Sequence, residues 1–268
     1  MKTQGFATVN GTRLYYETEG TGHPIVLVHG FSLDTRMWDA QMEPFAERYR
    51  VIRYDVRGYG KSAVPGTDGY YHADDLKALL DHLGVERAHV LGLSLGAAIV
   101  TEFAVAYPQM TSALVAVDPV LWGYEWSAEN NEAMGKIWGA GRTSGIEAAR
   151  KLWLADPMFA PALANREAVE PLVRIVSDYS GWAWVNDDPG LLPDPPAAGR
   201  LEEINVPTLA IVGELDVPDF HGVVDTLRKR IAGARKVVLP GVGHMSNMED
   251  PGAFNETVLA FLASVDGC

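Results

Sequence analysis

Cysteine is nearly absent from this 268-residue chain, and the only one, Cys268, is its last residue. One thiol cannot form an intramolecular disulfide, a cysteine nucleophile is disfavoured, and the closing Asp266-Gly267-Cys268 supplies no prenylation box. Basic residues are also scarce. Against 35 Asp and Glu there are 22 Lys and Arg, a formal net charge of −13, whereas nucleic-acid binding calls for clustered Lys and Arg. No apolar run reaches about eighteen residues, because the best candidate, Val90 to Tyr107, contains Ser94 and Glu102. The opening Met1-Lys2-Thr3-Gln4-Gly5 lacks the apolar core of a secretion signal. The expectation is a cytoplasmic protein with neither membrane nor nucleic-acid partner, its oligomeric state left open. His23, His72, His82, His89 and His221 show no metal-ligand spacing, so neither metal nor cofactor is expected.

What is present is an ordinary globular composition, 47% hydrophobic and 21% charged, at a length suited to one α/β core carrying an inserted subdomain. Two strand-like runs, Phe6 to Val9 and Thr12 to Glu17, flank Asn10-Gly11, a pairing typical of a two-residue hairpin turn. Ile25 to Val28 and Tyr49 to Tyr54 read as buried strands around a helix from Trp38 to Glu47. Leu76, Leu79, Leu80 and Leu83 repeat at helical spacing and stop at Gly84. Strands at Ala88 to Leu91 and Ala113 to Val117 enclose a helix from Ala97 to Tyr107. Alternation of this kind predicts a mostly parallel sheet covered on both faces.

The rhythm breaks after Asp118. From Pro119 to about Leu201 no strand is evident, only helical stretches near Glu132 to Ala140, Ile146 to Ala155 and Arg166 to Asp178, then a proline-rich return. We read residues 119–201 as an inserted helical cap on a core formed by 1–118 and 202–268. Six of the seven tryptophans fall within it. Packing accounts for many such residues, but a cluster that includes Trp122, Trp126, Trp138 and Trp153 also suits an apolar substrate pocket. The sheet resumes at Thr208 to Val212, followed by a helix from Phe220 to Ile231 and a last strand, Lys236 to Leu239.

Chemistry enters with Gly92-Leu93-Ser94-Leu95-Gly96. The pattern alone arises by chance in roughly one chain of this length in ten. Here it joins a strand-like run to a helix-like run, the context of a nucleophile elbow, where flanking glycines admit a sharp turn that thrusts out the Ser94 hydroxyl. Asp216 follows the Thr208 to Val212 strand, and His244 follows the last one. Nucleophile, acid and base therefore each sit beyond the carboxyl end of a predicted strand, where sites form in open α/β sheets. Glu214, Asp219 and Asp118 compete with Asp216 for the acid's place.

With His29-Gly30-Phe31 after the third strand and Asp55-Val56-Arg57-Gly58-Tyr59-Gly60-Lys61-Ser62 after the fourth, the chain resembles the α/β-hydrolase fold family, in particular its small esterases, lactonases and cofactor-free perhydrolases. The resemblance implies an eight-stranded, mostly parallel sheet and a Ser94–His244–Asp216 triad. It implies an oxyanion hole made by the backbone N–H groups of Leu95 and Phe31. It also places Met245, directly after the base, on the substrate side, and gives His29 and the stretch from Arg57 to Ser62 structural parts.

The implied reaction is transfer of an acyl group to water, on a small-molecule ester or lactone such as an enol-lactone or an acyl-homoserine lactone. A serine at the elbow argues against haloalkane dehalogenase and epoxide hydrolase chemistry, which uses aspartate there. Met245 rather than Trp after the base argues against carbon–carbon cleavage, and Phe31-Ser32 after His29-Gly30 argues against a proline iminopeptidase. Perhydrolysis with the same triad, or a slow-turnover small-molecule receptor of this fold, are the alternatives.

Overall fold

The computed structural model describes residues 2–267; Cys268 lies outside them. Its centre is an eight-stranded sheet in the order β1-β2-β4-β3-β5-β6-β7-β8. The strands are β1 (Thr3–Val9), β2 (Thr12–Glu19), β3 (His23–Val28), β4 (Tyr49–Tyr54), β5 (Ala88–Leu93), β6 (Thr111–Val117), β7 (Thr208–Gly213) and β8 (Arg235–Leu239). Only β2 runs against the rest: it pairs antiparallel with β1 and β4, and every other pairing is parallel. Asn10 (φ 45°) and Gly11 (φ 69°) make the β1–β2 turn, both left-handed as a type I′ hairpin requires.

The middle strands are short and largely apolar because both faces are covered. Every residue of β5 and of β7 is buried. The covering helices are α1 (Asp39–Ala46), α2 (His72–His82), α3 (Leu95–Ala106), α9 (Pro218–Arg230) and α11 (Pro251–Asp266), with a single turn, α10 (Ser246–Glu249), leading into the last. Between β6 and β7 the chain is helical: α4 (Ala128–Ser144), α5 (Ile146–Leu154), α6 (Ala160–Ala164), α7 (Val169–Asp178) and α8 (Trp182–Val185). Three of these five lie on the stretches expected from sequence. The short α6 and α8 carry too few residues to show a periodicity.

This helical insertion is fastened over the carboxyl edge of the sheet. Ser127 N–H and hydroxyl both donate to the Asp219 carboxylate (2.9 and 2.7 Å). Asn165 Nδ2 donates to the Glu249 carbonyl (2.9 Å), Tyr70 hydroxyl to Asp188 (2.8 Å), and Arg36 spans Asp34 and Asp178. The sheet order reverses around β3, which lies between β4 and β5. The loops after β3 and β5 consequently emerge side by side at the switch point, where open α/β sheets bind ligands.

Candidate active site

Ser94 sits between β5 and α3 at φ 56° and ψ −115°, a region costly for any residue with a Cβ, of order 1–3 kcal/mol. The turn is possible only because its flanks lack side chains. A Cβ on Gly92 would lie 2.2 Å from the Gly96 carbonyl oxygen, and one on Gly96 would lie 2.0 Å from that of Val28. The strained residue is held from both sides: its N–H donates to Val117 O (2.9 Å), and its carbonyl accepts from Val120 N (3.2 Å).

The loop after β3 runs directly alongside. A Cβ built on Gly30 would touch the Ser94 Cβ at 3.4 Å. His29 is fully buried; its Nε2 accepts from Val56 N–H (2.9 Å), which leaves Nδ1 to donate to the Gly30 carbonyl (2.8 Å). It shapes the loop and is turned away from chemistry. Arg57 is likewise structural, its guanidinium bound at two points to buried Asp75 (2.8 and 2.6 Å). Ser32 adopts a left-handed backbone (φ 61°), and its hydroxyl accepts a hydrogen bond from Trp153 Nε1 (2.7 Å). Phe31 and Leu95 line the same cavity as Ser94. Leu95 opens α3, where N–H groups have no partner inside the helix. That polarity favours negative charge beside Ser94.

Strands β7 and β8 deliver Asp216 and His244. Asp216 Oδ2 meets His244 Nδ1 at 2.9 Å, and Asp216 Oδ1 accepts from Val217 N–H (2.7 Å). With Nδ1 donating to a carboxylate, Nε2 is the basic nitrogen. Of the competitors, Asp219 is occupied with Ser127, and Glu214 accepts from Gly241 N–H at the surface (2.8 Å). Asp118 does reach the site. It stands at the end of β6 with φ 41°, fully buried, and accepts from Gly213 N–H (2.8 Å) and from the Ser246 hydroxyl (2.6 Å). One ligand-type atom from each of Asp118, Asp216 and His244 falls within 4.8 Å of the others. These atoms are already engaged with protein partners, so the cluster is a hydrogen-bonded network.

Glu249, which the sequence did not single out, clamps the backbone around His244. Its carboxylate accepts from Gly243 N–H (2.8 Å) and Met245 N–H (3.0 Å), on either side of His244. Burial raises its pKa, opposed by those two hydrogen bonds and by the charge of His244.

A cavity of about 300 Å³ opens on Ser94. Trp126, Trp138 and Trp153 line it, together with Met134, Met158 and Phe220. The Phe220 ring lies 4.3 Å from the His244 ring, centre to centre, which brings the base to the same cavity wall. Two expected lining residues lie elsewhere. Trp122 stacks on His72 and faces a neighbouring chamber of about 400 Å³, which shares only Phe31, Leu95 and Trp138 with the first. Met245 is 0% exposed and absent from the cavity wall. There the chain turns straight into α10, with the Met245 carbonyl accepting from Met248 and Glu249 N–H, and its side chain joins the core.

A parallel sheet with its order reversal at β3, a serine on a strained strand-to-helix turn and a His–Asp pair from the last two strands define an α/β protein built around a serine elbow. The family model described as alpha/beta hydrolase fold matches residues 23–251, and the chain belongs to that family. It is similar to the enol-lactonase from Burkholderia xenovorans LB400 (28% identity, TM-score 0.80, 97% of this chain and 100% of that one). It is similar also to a thermophilic esterase from Thermogutta terrifontis (28%, TM-score 0.83, 98% and 99%). Among curated relatives, the 2-hydroxy-6-oxo-6-phenylhexa-2,4-dienoate hydrolase of Burkholderia cepacia is 29% identical, covering 98% of this chain and 97% of that protein. No helix among the described residues is long and apolar enough to cross a membrane.

Proposed function

We propose that this chain is a serine hydrolase that cleaves an uncharged carboxylic ester or lactone through an acyl-enzyme on Ser94. The observation that carries the reading is the strained Ser94 at the floor of an apolar cavity whose wall is shared, through Phe220, with the Asp216-bonded His244. His244 Nε2 takes the hydroxyl proton as Ser94 attacks the carbonyl, then gives it to the departing alkoxide; water repeats the sequence to release the acid. Asp216 holds the tautomer and offsets the imidazolium charge. The N–H groups of Leu95 and Phe31 meet the tetrahedral oxyanion, with the N-terminus of α3 adding its favourable potential.

The lining supports an uncharged substrate. Among the described residues, no Lys, Arg, Asp or Glu borders the Ser94 cavity, whose polar side chains besides Ser94 are Asn130, Asn131 and the tryptophan indoles. A chamber adjoining it at Asn130 carries Glu129, Asp156 and Asp219. A carboxylate inside the cavity would give up hydration with no cation in return. That separates this chain from a relative named for a dienoate, and its volume lies at the lower end of ligand clefts.

Hydrolysis of p-nitrophenyl esters from acetate to decanoate, with γ-lactones, acyl-homoserine lactones and a carboxylated enol-lactone in parallel, tests this. Neutral esters or lactones should turn over, the anionic substrate poorly. Ser94→Ala should lower kcat by a factor of about 10⁴ to 10⁶ and abolish labelling by a fluorophosphonate. Full activity in that variant would end the assignment.

A further inference from the structure

Asp118 is the buried acid that the triad scheme leaves unused. Among the described residues it makes no ion pair: the groups acting on it are Asp216, the Ser246 hydroxyl and the Gly213 N–H, with no Lys or Arg. Asp216, equally shut off from solvent at its side chain, lies beside it and holds His244. Two carboxylates packed together in low dielectric cannot both ionise while the single imidazole is neutral, so one keeps its proton. Asp216 is the one that receives the His244 Nδ1–H, and the proton therefore resides with Asp118. Burial first, and the neighbouring Asp216 second, hold the Asp118 carboxyl well above the ordinary carboxylate range. Asp156 and Glu249 are the other acids near His244 and Asp216.

We propose that Asp118 is a positioning residue that works through Asp216: as a neutral acid it donates its proton to the Asp216 carboxylate, and it ionises in that residue's stead when Asp216 is replaced by an amide. The proposal rests on the Ser94–His244–Asp216 reading. The amide case follows from hydrogen-bond geometry. An asparagine at a triad acid position ordinarily presents its NH₂ to the imidazole and enforces the wrong tautomer. In Asp216→Asn, an Asp118 carboxylate accepts from that NH₂ and turns the amide oxygen toward His244, at the loss of the bond that Val217 N–H makes to Asp216 Oδ1. The Nδ1–H tautomer survives, and one negative charge still stands behind the imidazolium.

The test is the pH profile of kcat/KM on a neutral p-nitrophenyl ester for wild type, Asp118→Asn, Asp216→Asn, the double variant and Ser94→Ala, each checked for folding by thermal melt. Asp118→Asn exchanges one neutral group for another, so its acid limb should coincide with wild type, while the NH₂ set against the Gly213 N–H or the Ser246 hydroxyl lowers kcat without moving that limb. Asp216→Asn should keep activity within about 100-fold of wild type, and the double variant should drop to the roughly 10⁴-fold loss of a triad without its acid. An acid limb moved down by a unit or more in Asp118→Asn, or a double variant no worse than Asp216→Asn, would overturn the proposal. If substitutions at Asp118 fail to fold, Asp216→Asn decides alone. Activity within about 100-fold of wild type supports the proposal, and a loss of about 10⁴ refutes it. Activity surviving in Ser94→Ala would instead discard the reaction at Ser94 itself.

Discussion

Trp153 of the helical insertion donates its indole N–H to the hydroxyl of Ser32, 121 positions away in the chain and only 2.7 Å distant. Ser32 is itself left-handed and adjoins Phe31, whose N–H is a proposed oxyanion donor. The same indole lines the Ser94 cavity, so one side chain both walls the pocket and fixes the loop beneath it. Trp153→Phe keeps a ring in the cavity and removes that hydrogen bond. Stability should fall by about 1 kcal/mol. Because the loop must hold its donor to within fractions of an ångström, kcat should fall about tenfold or more for long and short esters alike. Steady-state kinetics across acyl lengths would tell this from a pocket effect, which would move KM selectively.

Strain at Ser94 has its own signature. Ser94→Gly removes both the hydroxyl and the Cβ that makes φ 56° costly. It should be inactive yet melt at the wild-type temperature or above, whereas Ser94→Ala keeps the Cβ and the strain. Differential scanning calorimetry of the pair measures the difference directly. A glycine variant less stable than the alanine variant would count against a strained turn.

Glu249 holds the N–H groups on both sides of His244. Glutamine in its place has one accepting oxygen and an NH₂ that faces a donor. Glu249→Gln should therefore cost about 1–3 kcal/mol from the orphaned buried N–H and lower kcat while leaving KM near wild type. A normal kcat in the folded variant would show that the base needs no such clamp.

Acid sensitivity is legible at the β2–β4 pairing. Burial would raise the Glu17 carboxyl, but hydrogen bonds from Arg53 and Tyr15 and the Arg53 charge outweigh it, and its pKa is lowered from the usual 4.5. A carboxylate with a depressed folded pKa adds stability above its unfolded value and loses it as pH falls through the folded one. Wild type should thus exceed Glu17→Gln in melting temperature at pH 7, with the gap closing below about pH 4. Melts of both proteins from pH 7 to 3 provide the check; a gap that widens toward acid would reverse the sign.

The inner sheet is readable because its strands carry short apolar runs, the β1–β2 pair because Asn10-Gly11 marks its turn, and the elbow because its glycines answer to a local clash. Asp216 and His244 could be picked out since each follows such a run, and they meet at 2.9 Å. Glu249 could not. In sequence a buried acid serving two backbone N–H groups looks like any surface acid opening a helix. Trp122 and Met245 depart from the expectation for the converse reason. Proximity along the chain to the insertion or to His244 does not say which way a side chain turns, and both turn aside from the cavity. The Trp153–Ser32 link depends on tertiary packing alone.

Gly96 bears so closely on Val28 that not even a methyl group fits between α3 and β3. The elbow therefore has no shape of its own: the β3 backbone beneath it and the hydrogen bonds to Val117 and from Val120 together hold Ser94 in its unfavourable turn. The proposed nucleophile takes its place only when the middle of the sheet closes. A half-folded chain would carry the same serine as an ordinary alcohol in a relaxed turn, so on the proposed reading reactivity arrives only with the finished fold.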